Sequence, residues 1–269
     1  MNGRGDDDAP LLEATGLGKR FGGVVALSGY RLRLARGELL GLIGPNGAGK
    51  TTAFNLLSGV LRPSSGRIVF AGRDVTGQPA HRFAALGIAR TFQNIRLFRD
   101  LTVEENVMAA LHGRHGAGLA ATLLGLPAFR RAEREIAAEA RRLLAMLGLE
   151  RLAQHRAGDL AYGDQRRVEI ARALATEPAL LLLDEPAAGM NPREMAELVA
   201  LVARLHRELG LTVILVEHDV KLVMGLCRRV QVLNRGEVLA IGTPEEVQGD
   251  PAVIEAYLGS RRRERAARA

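Results

Sequence analysis

The chain has 269 residues, 47% of them hydrophobic and 25% charged, which is ample for one or two globular domains with a sizeable core. No apolar run approaches 18 residues, and the polar, acidic start is not typical of a secretory signal. The single cysteine, Cys227, excludes an internal disulfide and fits a reducing cytosol. The net charge of +7 comes from scattered arginines with only 4% aromatics, so we expect no nucleic-acid partner, whereas a membrane partner or anionic lipid fits.

The predicted elements begin after residues 1–10, which we expect to be a disordered lead. Short β-like pieces alternate with glycine turns over 11–41, and a buried strand without polar alternation follows over 39–44. A helix is predicted from about 49 to 58. The segment GRIVFAGRDV (66–75) is then predicted to be a strand and a turn.

The middle of the chain has a different pattern. The segment GIARTF (87–92) is a third candidate for a buried strand, and from about 94 to 175 the pattern is mostly helical. Five apolar residues share one helical face, opposite arginine and glutamate: Ile136, Ala140, Leu143, Leu144 and Leu147. This region is therefore predicted to be a helical insertion.

Strand patterns return at 179–186, 212–218 and 229–236, with a helical stretch over 193–209. Apolar strands that alternate with helices indicate a parallel sheet of α/β type. The tail SRRRERAARA (260–269) has no apolar period, so we expect it to be solvated. The alternative is an electrostatic tether to lipid.

The segment GPNGAGKTT (44–52) matches G-x-x-x-x-G-K-[ST] between a predicted strand and a predicted helix, the context in which this motif binds phosphate. Its glycines let the backbone approach phosphate closely, and amides at the helix N-terminus face the anion. Lys50 is expected to reach the β- and γ-phosphates, and the hydroxyl of Thr51 to bind Mg²⁺. The predicted nucleotide contacts here are Gly44, Pro45, Asn46, Gly47, Ala48, Gly49, Lys50, Thr51 and Thr52.

The second part of the predicted site is the end of the strand LLLLDEP. Asp184 lies where this strand ends and can hold Mg²⁺ directly or through water. Glu185 follows it and can polarise the attacking water as a general base. An Asp-Glu pair at a strand end is moderately specific alone, and together with the upstream loop it predicts a site for nucleotide hydrolysis.

Gln93 and His218 each follow a predicted strand. Gln93 could sense the γ-phosphate or its metal ion, and His218 could hydrogen-bond the γ-phosphate, because carboxyl ends of parallel strands lie beside the phosphate loop. Taken alone, such a glutamine is more often a surface residue and such a histidine a cap or core residue. The predicted catalytic residues are Lys50, Gln93, Glu185 and His218, and the predicted metal ligands are Thr51, Gln93 and Asp184.

The stretch LAYGDQRRVEIARAL (160–174) resembles a glycine-bearing turn before a helix, and its start resembles the phosphate-sensing signature Leu-Ser-Gly-Gly-Gln. Ala161 replaces the serine, Tyr162 the first glycine and Asp164 the glutamine. Negative charge in the first turn of a helix is favourable by about 0.3–1 kcal/mol. This local effect is the explanation we favour for Asp164.

In their order these features resemble the ATP-binding subunits of ATP-binding cassette transporters, over residues 10–259. The features are Phe21, the 44–52 loop, Gln93, the 160–164 signature, LLLLDEP, AAGMNP and His218. Within the family the chain is most similar to the first ATPase of the branched-chain amino acid importers, through its LAYG signature, DEPAAGMNP, EHDVKLVMG, the FRRAERE insert and the ending DPAVIEAYLG. Ala161 and Tyr162 are normal for that subgroup, whereas Asp164 departs from it.

The resemblance implies an α/β fold of the P-loop NTPase (RecA-like) class, with a mostly parallel sheet, an N-terminal antiparallel β subdomain and an inserted α-helical subdomain. A single ATPase domain would span 11–259. Its catalytic core and β subdomain would comprise 11–93 and 176–259, its helical subdomain 94–175, and a basic tail 260–269 would follow.

The resemblance also implies a dimer of ATPase subunits that sandwiches two ATP molecules with Mg²⁺. Phe21 would stack on adenine, and Asn191 would replace an aspartate common in the interface loop. Segment 94–112 would dock a coupling helix of one of two transmembrane permease subunits, at the cytoplasmic face of the inner membrane, with a periplasmic or lipoprotein substrate-binding protein as an indirect partner. The signature residues that would contact the ATP on the partner's phosphate loop are Leu160, Ala161, Tyr162, Gly163 and Asp164.

The resulting hypothesis is an ATPase that powers import of branched-chain or related amino acids. Urea, short amides and lipopolysaccharide export remain open as other substrate classes, although lipopolysaccharide exporters usually keep Ser-Gly-Gly in the signature. Cassette ATPases that act on nucleic acid carry long coiled coils, zinc sites or two cassettes, and this chain has none of these in its sequence. Because Ala161 lacks a hydroxyl, we expect the second ATPase to be a different chain with an intact signature.

Overall fold

The structure, a computed structural model, describes residues 9–115 and 127–266. Its strands are β1 (Leu12–Phe21), β2 (Val24–Leu34), β3 (Leu39–Ile43), β4 (Ser65–Phe70), β5 (Arg73–Asp74), β6 (Ile88–Arg90), β7 (Leu180–Asp184), β8 (Thr212–Val216), β9 (Arg229–Asn234) and β10 (Glu237–Gly242). Its helices are α1 (Lys50–Leu57), α2 (Ala80–Ala85), α3 (Val103–His115), α4 (Pro127–Met146), α5 (Tyr162–Leu174), α6 (Pro192–Leu209), α7 (Val220–Leu226), α8 (Pro244–Gly249) and α9 (Pro251–Ala266). Except for its last two residues, the predicted disordered lead 1–10 lies outside the described residues.

The central sheet has six strands in the order β10-β9-β3-β8-β7-β6, and every neighbouring pair is parallel except β10 with β9. Strands β3, β7 and β8 are buried along their whole length because both faces of the sheet are covered. The parallel α/β sheet predicted from these apolar runs is confirmed. The sequence pattern does not predict the edge strand β10, whose side chains are only half-buried and form neither an apolar run nor a clean alternation.

Each face of the central sheet packs against a different layer. Leu181 and Leu183 lie in a core shared with α3, α4 and α5, whereas Leu180 and Leu182 lie in a core shared with α1 and the second sheet. The alternation of side chains along a strand divides one leucine run between two cores. As a result, the C-terminal end of β7 lies between helices α3, α4 and α5 on one face of the sheet and α1 on the other.

The second sheet is antiparallel, with the order β2-β1-β4-β5. The sequence predicts short pieces separated by glycine turns, but β1 and β2 are continuous strands of 10 and 11 residues. Gly16 and Gly29, at φ +61° and +59°, lie where the β1–β2 register shifts. These glycines form bulges, which need the same left-handed backbone as turns and are hard to distinguish from turns by sequence.

The helical insertion is confirmed as α3, α4 and α5, with two short 3-10 helices, Glu150–Leu152 and Ala157–Asp159, before α5. The predicted apolar face is buried at every position, from Ile136 to Leu147. At the C-terminus, α9 continues through Ala266, so helix extends into the segment predicted to be a tail. Within the described ranges, no helix is both long enough and apolar enough to cross a membrane.

Cys227 lies behind the central sheet, at the C-terminal end of α7. A methyl group built on Gly41 of β3 would come within 3.2 Å of its sulfur, so the thiol packs directly on the strand that leads to the phosphate loop. Burial raises the pKa of the Cys227 thiol to about 12. The thiol is therefore protonated and shielded at neutral pH.

Candidate active site

The phosphate loop (residues 44–49) joins β3 to α1 through backbone conformations that favour glycine. The φ angle is +152° at Gly44, +75° at Gly47 and +102° at Gly49. A methyl group at Gly44 would overlap the Leu233 carbonyl oxygen, and one at Gly49 would lie 2.9 Å from a backbone carbonyl of β2. The shape of the loop therefore depends on the missing Cβ atoms.

The outer side of the loop is open. Asn46 and Gly47 are exposed, as is Thr51 in the first turn of α1, while Pro45 and Ala48 are buried beneath them. Helix α1 has no side-chain cap, so its first amides are not occupied by a capping oxygen. This geometry suits an anion that approaches from solvent.

Lys50 is buried at the start of α1 and donates to the carbonyl oxygens of Gly44 (2.7 Å) and Pro45 (3.1 Å). Burial lowers the pKa of Lys50, and the carboxylates of Glu185 and Asp184 act in the opposite direction. The amine thus lies between the loop and the carboxylates at the end of β7.

Asp184 ends β7 and is held by Arg90, whose Nη2 lies 2.7 Å from Oδ2. Both side chains are almost fully buried. The other guanidinium nitrogen of Arg90 donates to Asn55 Oδ1 (2.6 Å) and Ser58 Oγ (2.9 Å), both at the C-terminal end of α1. Arg90 therefore fixes the predicted metal carboxylate relative to the helix that follows the phosphate loop.

Glu185 has a φ of +46°, a strained conformation for a residue with a side chain, and strain of this kind clusters at functional sites. Gln93 Nε2 donates to its Oε2 at 3.0 Å, and His218 Nε2 lies 2.5 Å from its Oε1. The structure thus brings together Gln93, Glu185 and His218, which are far apart in sequence. His218 is half-exposed, while the Glu185 side chain is nearly buried.

Glu217 is a buried acid beside this group that the sequence analysis does not single out. Its side chain accepts hydrogen bonds from the amides of Ala187 (2.8 Å) and His218 (3.2 Å). Burial raises the pKa of Glu217; the two amides lower it, and repulsion from Glu185 and Asp219 raises it further. Glu217 fixes the backbone on both sides of the Glu185–His218 pair.

The signature residues 160–164 form the start of α5, here called the signature turn: Leu160 and Ala161 precede the helix, and Tyr162, Gly163 and Asp164 lie in its first turn. Ala161 is the N-cap, with an extended backbone and no side-chain cap, and Asp164 lies in the first turn as predicted. Gln165 Nε2 donates to the Leu160 carbonyl at 2.8 Å. A cavity of about 210 Å³ beside Ala161, Gly163 and Asp164 is lined otherwise by Arg167, Met190 and residues of α6, and not by the phosphate loop.

Phe21 ends β1 with 48% of its surface exposed, next to the exposed Val24 and Val25. The Lys19 amine lies 5.2 Å from the ring centroid. A flat, exposed aromatic surface of this kind is available for stacking.

Asn191 is the N-cap of α6. Its side chain accepts hydrogen bonds from two backbone amides, and Glu194 completes a capping box.

Three residues that pattern reasoning misses hold the site together: Arg90, Arg166 and Tyr257. Arg90 is the single charge in the apolar run GIARTF, which is the available sequence signal. Arg166 is fully buried on α5. Tyr257 on α9 accepts a hydrogen bond from the Gly44 backbone, and burial raises its pKa to about 12.

The residues predicted to bind Mg²⁺ suit that ion. In the part of the chain that the structure describes, no group of three or more His, Cys, Asp and Glu side chains could hold a metal. Mg²⁺ is usually held by one or two carboxylates together with substrate phosphates and water. Asp184, the Thr51 hydroxyl and the Gln93 amide are an oxygen donor set of that kind.

The chain is similar to known proteins along most of its length. The model of the ABC transporter family matches residues 27–188, and that of the branched-chain amino acid ATP-binding cassette transporter matches 237–262. The chain is 50% identical over 250 residues to the high-affinity branched-chain amino acid transport ATP-binding protein LivG of Salmonella typhimurium, covering 93% of this chain and 98% of that protein. BraF of Pseudomonas aeruginosa, which has the same description, is 48% identical over 250 residues, again covering 93% of this chain and 98% of that protein. The solved ADP conformation of MJ1267, an ATP-binding cassette of an ABC transporter, has a TM-score of 0.81 at 31% identity, covering 93% of this chain and 99% of that one.

Proposed function

This chain belongs to the ABC transporter family, and we propose that it is the ATP-hydrolysing subunit of an importer for branched-chain or related amino acids. The observation that carries the substrate class is the identity of about half of the chain with LivG and BraF, both described as branched-chain amino acid transport proteins. The match of residues 237–262 to a branched-chain amino acid transporter model supports the same class. Urea, short amides and lipopolysaccharide are the competing cargoes that the experiments below separate.

The phosphate loop would bind the β- and γ-phosphates of ATP. Lys50 already contacts the carbonyls of Gly44 and Pro45, so it needs only a short movement to reach an anion in the loop. Burial makes that charge costly while it is unpaired, so an arriving phosphate gains a strong partner. Phe21 would support the adenine ring.

Asp184, Thr51 and Gln93 would hold Mg²⁺, which supplies positive charge to neutralise the phosphates. Arg90 binds Oδ2 of Asp184, so the cation would be held through Oδ1, directly or through water. The Gln93 amide is at present bonded to Glu185. Gln93 would therefore exchange this contact for the metal or the γ-phosphate when ATP binds.

Glu185 would orient the attacking water and accept its proton. Its carboxylate is held between Gln93 and His218, and its backbone amide donates to the Val216 carbonyl at 2.9 Å. These contacts preorganise a general base, whose contribution to the rate is typically about 10²–10⁴-fold. His218 would then contact the γ-phosphate.

The working form would be a dimer of unlike ATPase subunits. Residues 160–164 of this chain would face the ATP on the partner's phosphate loop, with the α5 amides as the main phosphate contacts. Ala161 offers no hydroxyl there, so we expect the partner's signature to contain the serine. The ATP on this chain's own loop would then occupy the better site.

A permease would dock beside the helical insertion. A cavity of about 390 Å³ lies between α2, β6, α3 and α5, with a mainly apolar lining that includes Val60, Ala84, Phe92 and Ala110. It adjoins segment 94–112, and it suits an amphipathic helix from a transmembrane subunit. In this arrangement the chain lies at the cytoplasmic face of the inner membrane, with two permease subunits and, indirectly, a substrate-binding protein.

Lys50→Ala tests the nucleotide site. We expect ATP turnover in the assembled transporter to fall by roughly 10²–10³-fold, the usual loss when one preorganised electrostatic donor is removed. Lys221→Ala is the matched control, because Lys221 is exposed on α7. Near-normal turnover of the Lys50 variant would refute the role given to this loop.

The cargo is tested by reconstituting the complex in vesicles with its permease and binding protein. Leucine, isoleucine or valine should stimulate ATP hydrolysis and accumulate inside, whereas urea and short amides should not. Stimulation by urea, amides or lipopolysaccharide alone would reassign the substrate while leaving the ATPase assignment intact.

Docking is tested by placing single cysteines along 94–112 in the complex. We expect crosslinks to a permease subunit, and none from a control cysteine at the exposed edge position Glu237. Crosslinks that form only to the other ATPase would contradict the proposed docking surface.

A further inference from the structure

Arg166 is a charged side chain with no exposed surface, on the second turn of α5. Its Nη1 donates to the Phe92 carbonyl (2.7 Å) and to Glu169 Oε2 (2.7 Å), and its Nη2 donates to the Gln93 carbonyl (2.9 Å) and to the Tyr162 hydroxyl (2.9 Å). One guanidinium therefore connects the Gln93 loop (residues 91–96) with the signature turn.

Glu169 strengthens this connection from the same helix. Its Oε1 accepts the Phe92 amide at 3.1 Å, while its Oε2 pairs with Arg166. Both polar groups of Phe92 are thus bound by side chains of α5. Because the ion pair is buried, water does not compete for these bonds, and the loop and the helix are held together.

Tyr162 carries the connection to the surface. Its hydroxyl accepts from Arg166, the guanidinium lies 5.6 Å from its ring centroid, and 42% of the residue is exposed in the signature. The glycine found at this position in the general signature could make neither contact. Tyr162 and Arg166 therefore form a pair that a Ser-Gly-Gly signature does not have.

The other end of the connection is the hydrolytic group. The Gln93 side chain binds Glu185, while the Gln93 carbonyl binds Arg166. A rearrangement of Gln93 around the γ-phosphate would displace the same peptide that Arg166 holds. The contacts from Glu185 to Tyr162 are continuous: carboxylate, amide side chain, backbone carbonyl, guanidinium and phenol.

We propose that Arg166 is a positioning residue that couples the two ATP sites of the dimer. The phosphate state sensed by Gln93 in this chain's own site would set the position of Tyr162 and the signature turn, which this chain presents to the partner's ATP. The proposal rests on the proposed function, because it needs ATP on this chain's loop and a facing subunit.

Amide hydrogen exchange on the full chain, with and without ATP and Mg²⁺, tests the connection. In the unsubstituted chain ATP should slow exchange in both the Gln93 loop and residues 160–166. In Arg166→Met the loop should still respond, while the response at 160–166 should fall to less than half. Arg166→Lys, which keeps a donor for a carbonyl, should restore part of it.

Tyr162→Phe provides a second variant, should Arg166→Met fail to fold, because it removes one hydroxyl from a partly exposed ring. It should reduce the ATP response at residues 160–163 and leave the loop response intact. Tyr30→Phe, which removes a hydroxyl from β2 in the other core, is the matched control and should change neither response.

The assembled complex provides the second readout. Coupled sites should give a Hill coefficient for ATP above 1, which Arg166→Met should lower towards 1. An unchanged coefficient, together with an unchanged response at 160–166 in both variants, would overturn the coupling role while leaving the ATPase assignment intact. No response to ATP at the Gln93 loop of the unsubstituted chain would overturn the proposed function as well.

Discussion

The phosphate loop before α1 and the signature turn at the start of α5 both contain glycine, and neither helix has a side-chain cap. By contrast, α6, α7 and α8 are capped by Asn191, Asp219 and Thr243. The two turns differ in shape. Before α1 the chain is left-handed at Gly49 and wedged between the sheets, whereas before α5 Ala161 is extended, and a methyl on Gly163 would touch nothing closer than 3.7 Å.

This difference indicates which of the two helix starts could surround a phosphate without the help of another chain. The turn before α1 is a preformed concave cradle with a buried lysine beside it. The signature turn offers uncapped amides on an open surface, and Arg166 of the next helical turn donates to its Tyr162 hydroxyl. The first turn can surround an anion without another chain, whereas in the dimer proposed above the second would complete a site on another subunit.

Glu185→Gln is expected to have the largest effect, because it should stop hydrolysis at the first region while ATP binding and dimer closure continue. Hydrolysis in the complex should fall by about 10²–10⁴-fold, because the amide cannot accept a proton from water. ATP affinity should be retained, and a mixture of the variant with the partner ATPase, without permease, should accumulate a closed dimer with ATP, detected by size-exclusion chromatography. Glu237→Gln on the edge strand is the control for loss of a carboxylate.

Loss of ATP binding by the Glu185 variant, with no trapped dimer, would contradict the role of Glu185 as a base that acts only in hydrolysis. It would make Glu185 a structural or nucleotide-holding residue.

Exchanging one glycine in each turn tests the comparison directly. Gly49→Ala should lower the free energy of unfolding by about 1–3 kcal/mol, because alanine is strained at φ +102° and its methyl would press on a β2 carbonyl. Gly163→Ala should leave stability within about 1 kcal/mol, or raise it, since alanine favours helix over glycine. Urea denaturation of both variants is the measurement.

The same two variants should differ in activity. Gly163→Ala should impair ATP hydrolysis only in the assembled complex, because its backbone is expected to approach the partner's phosphates. Equal losses of stability from the two substitutions would show that the signature turn is as constrained by its own chain as the phosphate loop is.

The sequence predicts the two turns well and the connections between them poorly. The phosphate loop and the Asp184–Glu185 strand end are local patterns with fixed spacing, so a few adjacent residues suffice. Arg90 with Asp184 and Arg166 with Phe92 are pairs separated by 94 and 74 positions, and each depends on how two elements pack. A single sequence contains the charges but not their pairing.

The parts of the fold that resist prediction have similar causes. The bulges at Gly16 and Gly29 need the same backbone angles as turns, so the sequence does not distinguish them. Strand β10 is half-buried at a sheet edge, where the hydrophobic pattern is weak. The apolar face around Leu143 is predicted correctly, because burial there follows helical spacing.

Introducing a serine at position 161 is expected to have a smaller effect on the second region. Ala161→Ser should change transport modestly, whereas removal of the partner's signature serine should cripple it, since a hydrogen bond to a charged group contributes about 1.5–3 kcal/mol. ATPase activity of the reconstituted complex with each change in turn is the measurement. Equal effects, or full activity of this chain as a homodimer, would count against unlike sites.

The smallest expected effect concerns Glu217 and pH. Burial raises its folded pKa above the ordinary value, so its contribution to stability is present below that ordinary pKa and is lost as pH rises through the folded pKa. Glu217→Gln cannot ionise and should lack this loss. The unfolding free energy of the variant relative to the unsubstituted chain should therefore increase from pH 4.5 to pH 8, measured by denaturant titration, and a constant difference would contradict the shift.

The buried position of Cys227 has a practical consequence for labelling chemistry. A thiol with a pKa of about 12, enclosed behind β3, reacts slowly with maleimides while the chain is folded. An engineered surface cysteine can therefore be modified selectively with the native residue left in place. The rate at which Cys227 is modified would also measure how often the fold opens locally beneath the phosphate loop.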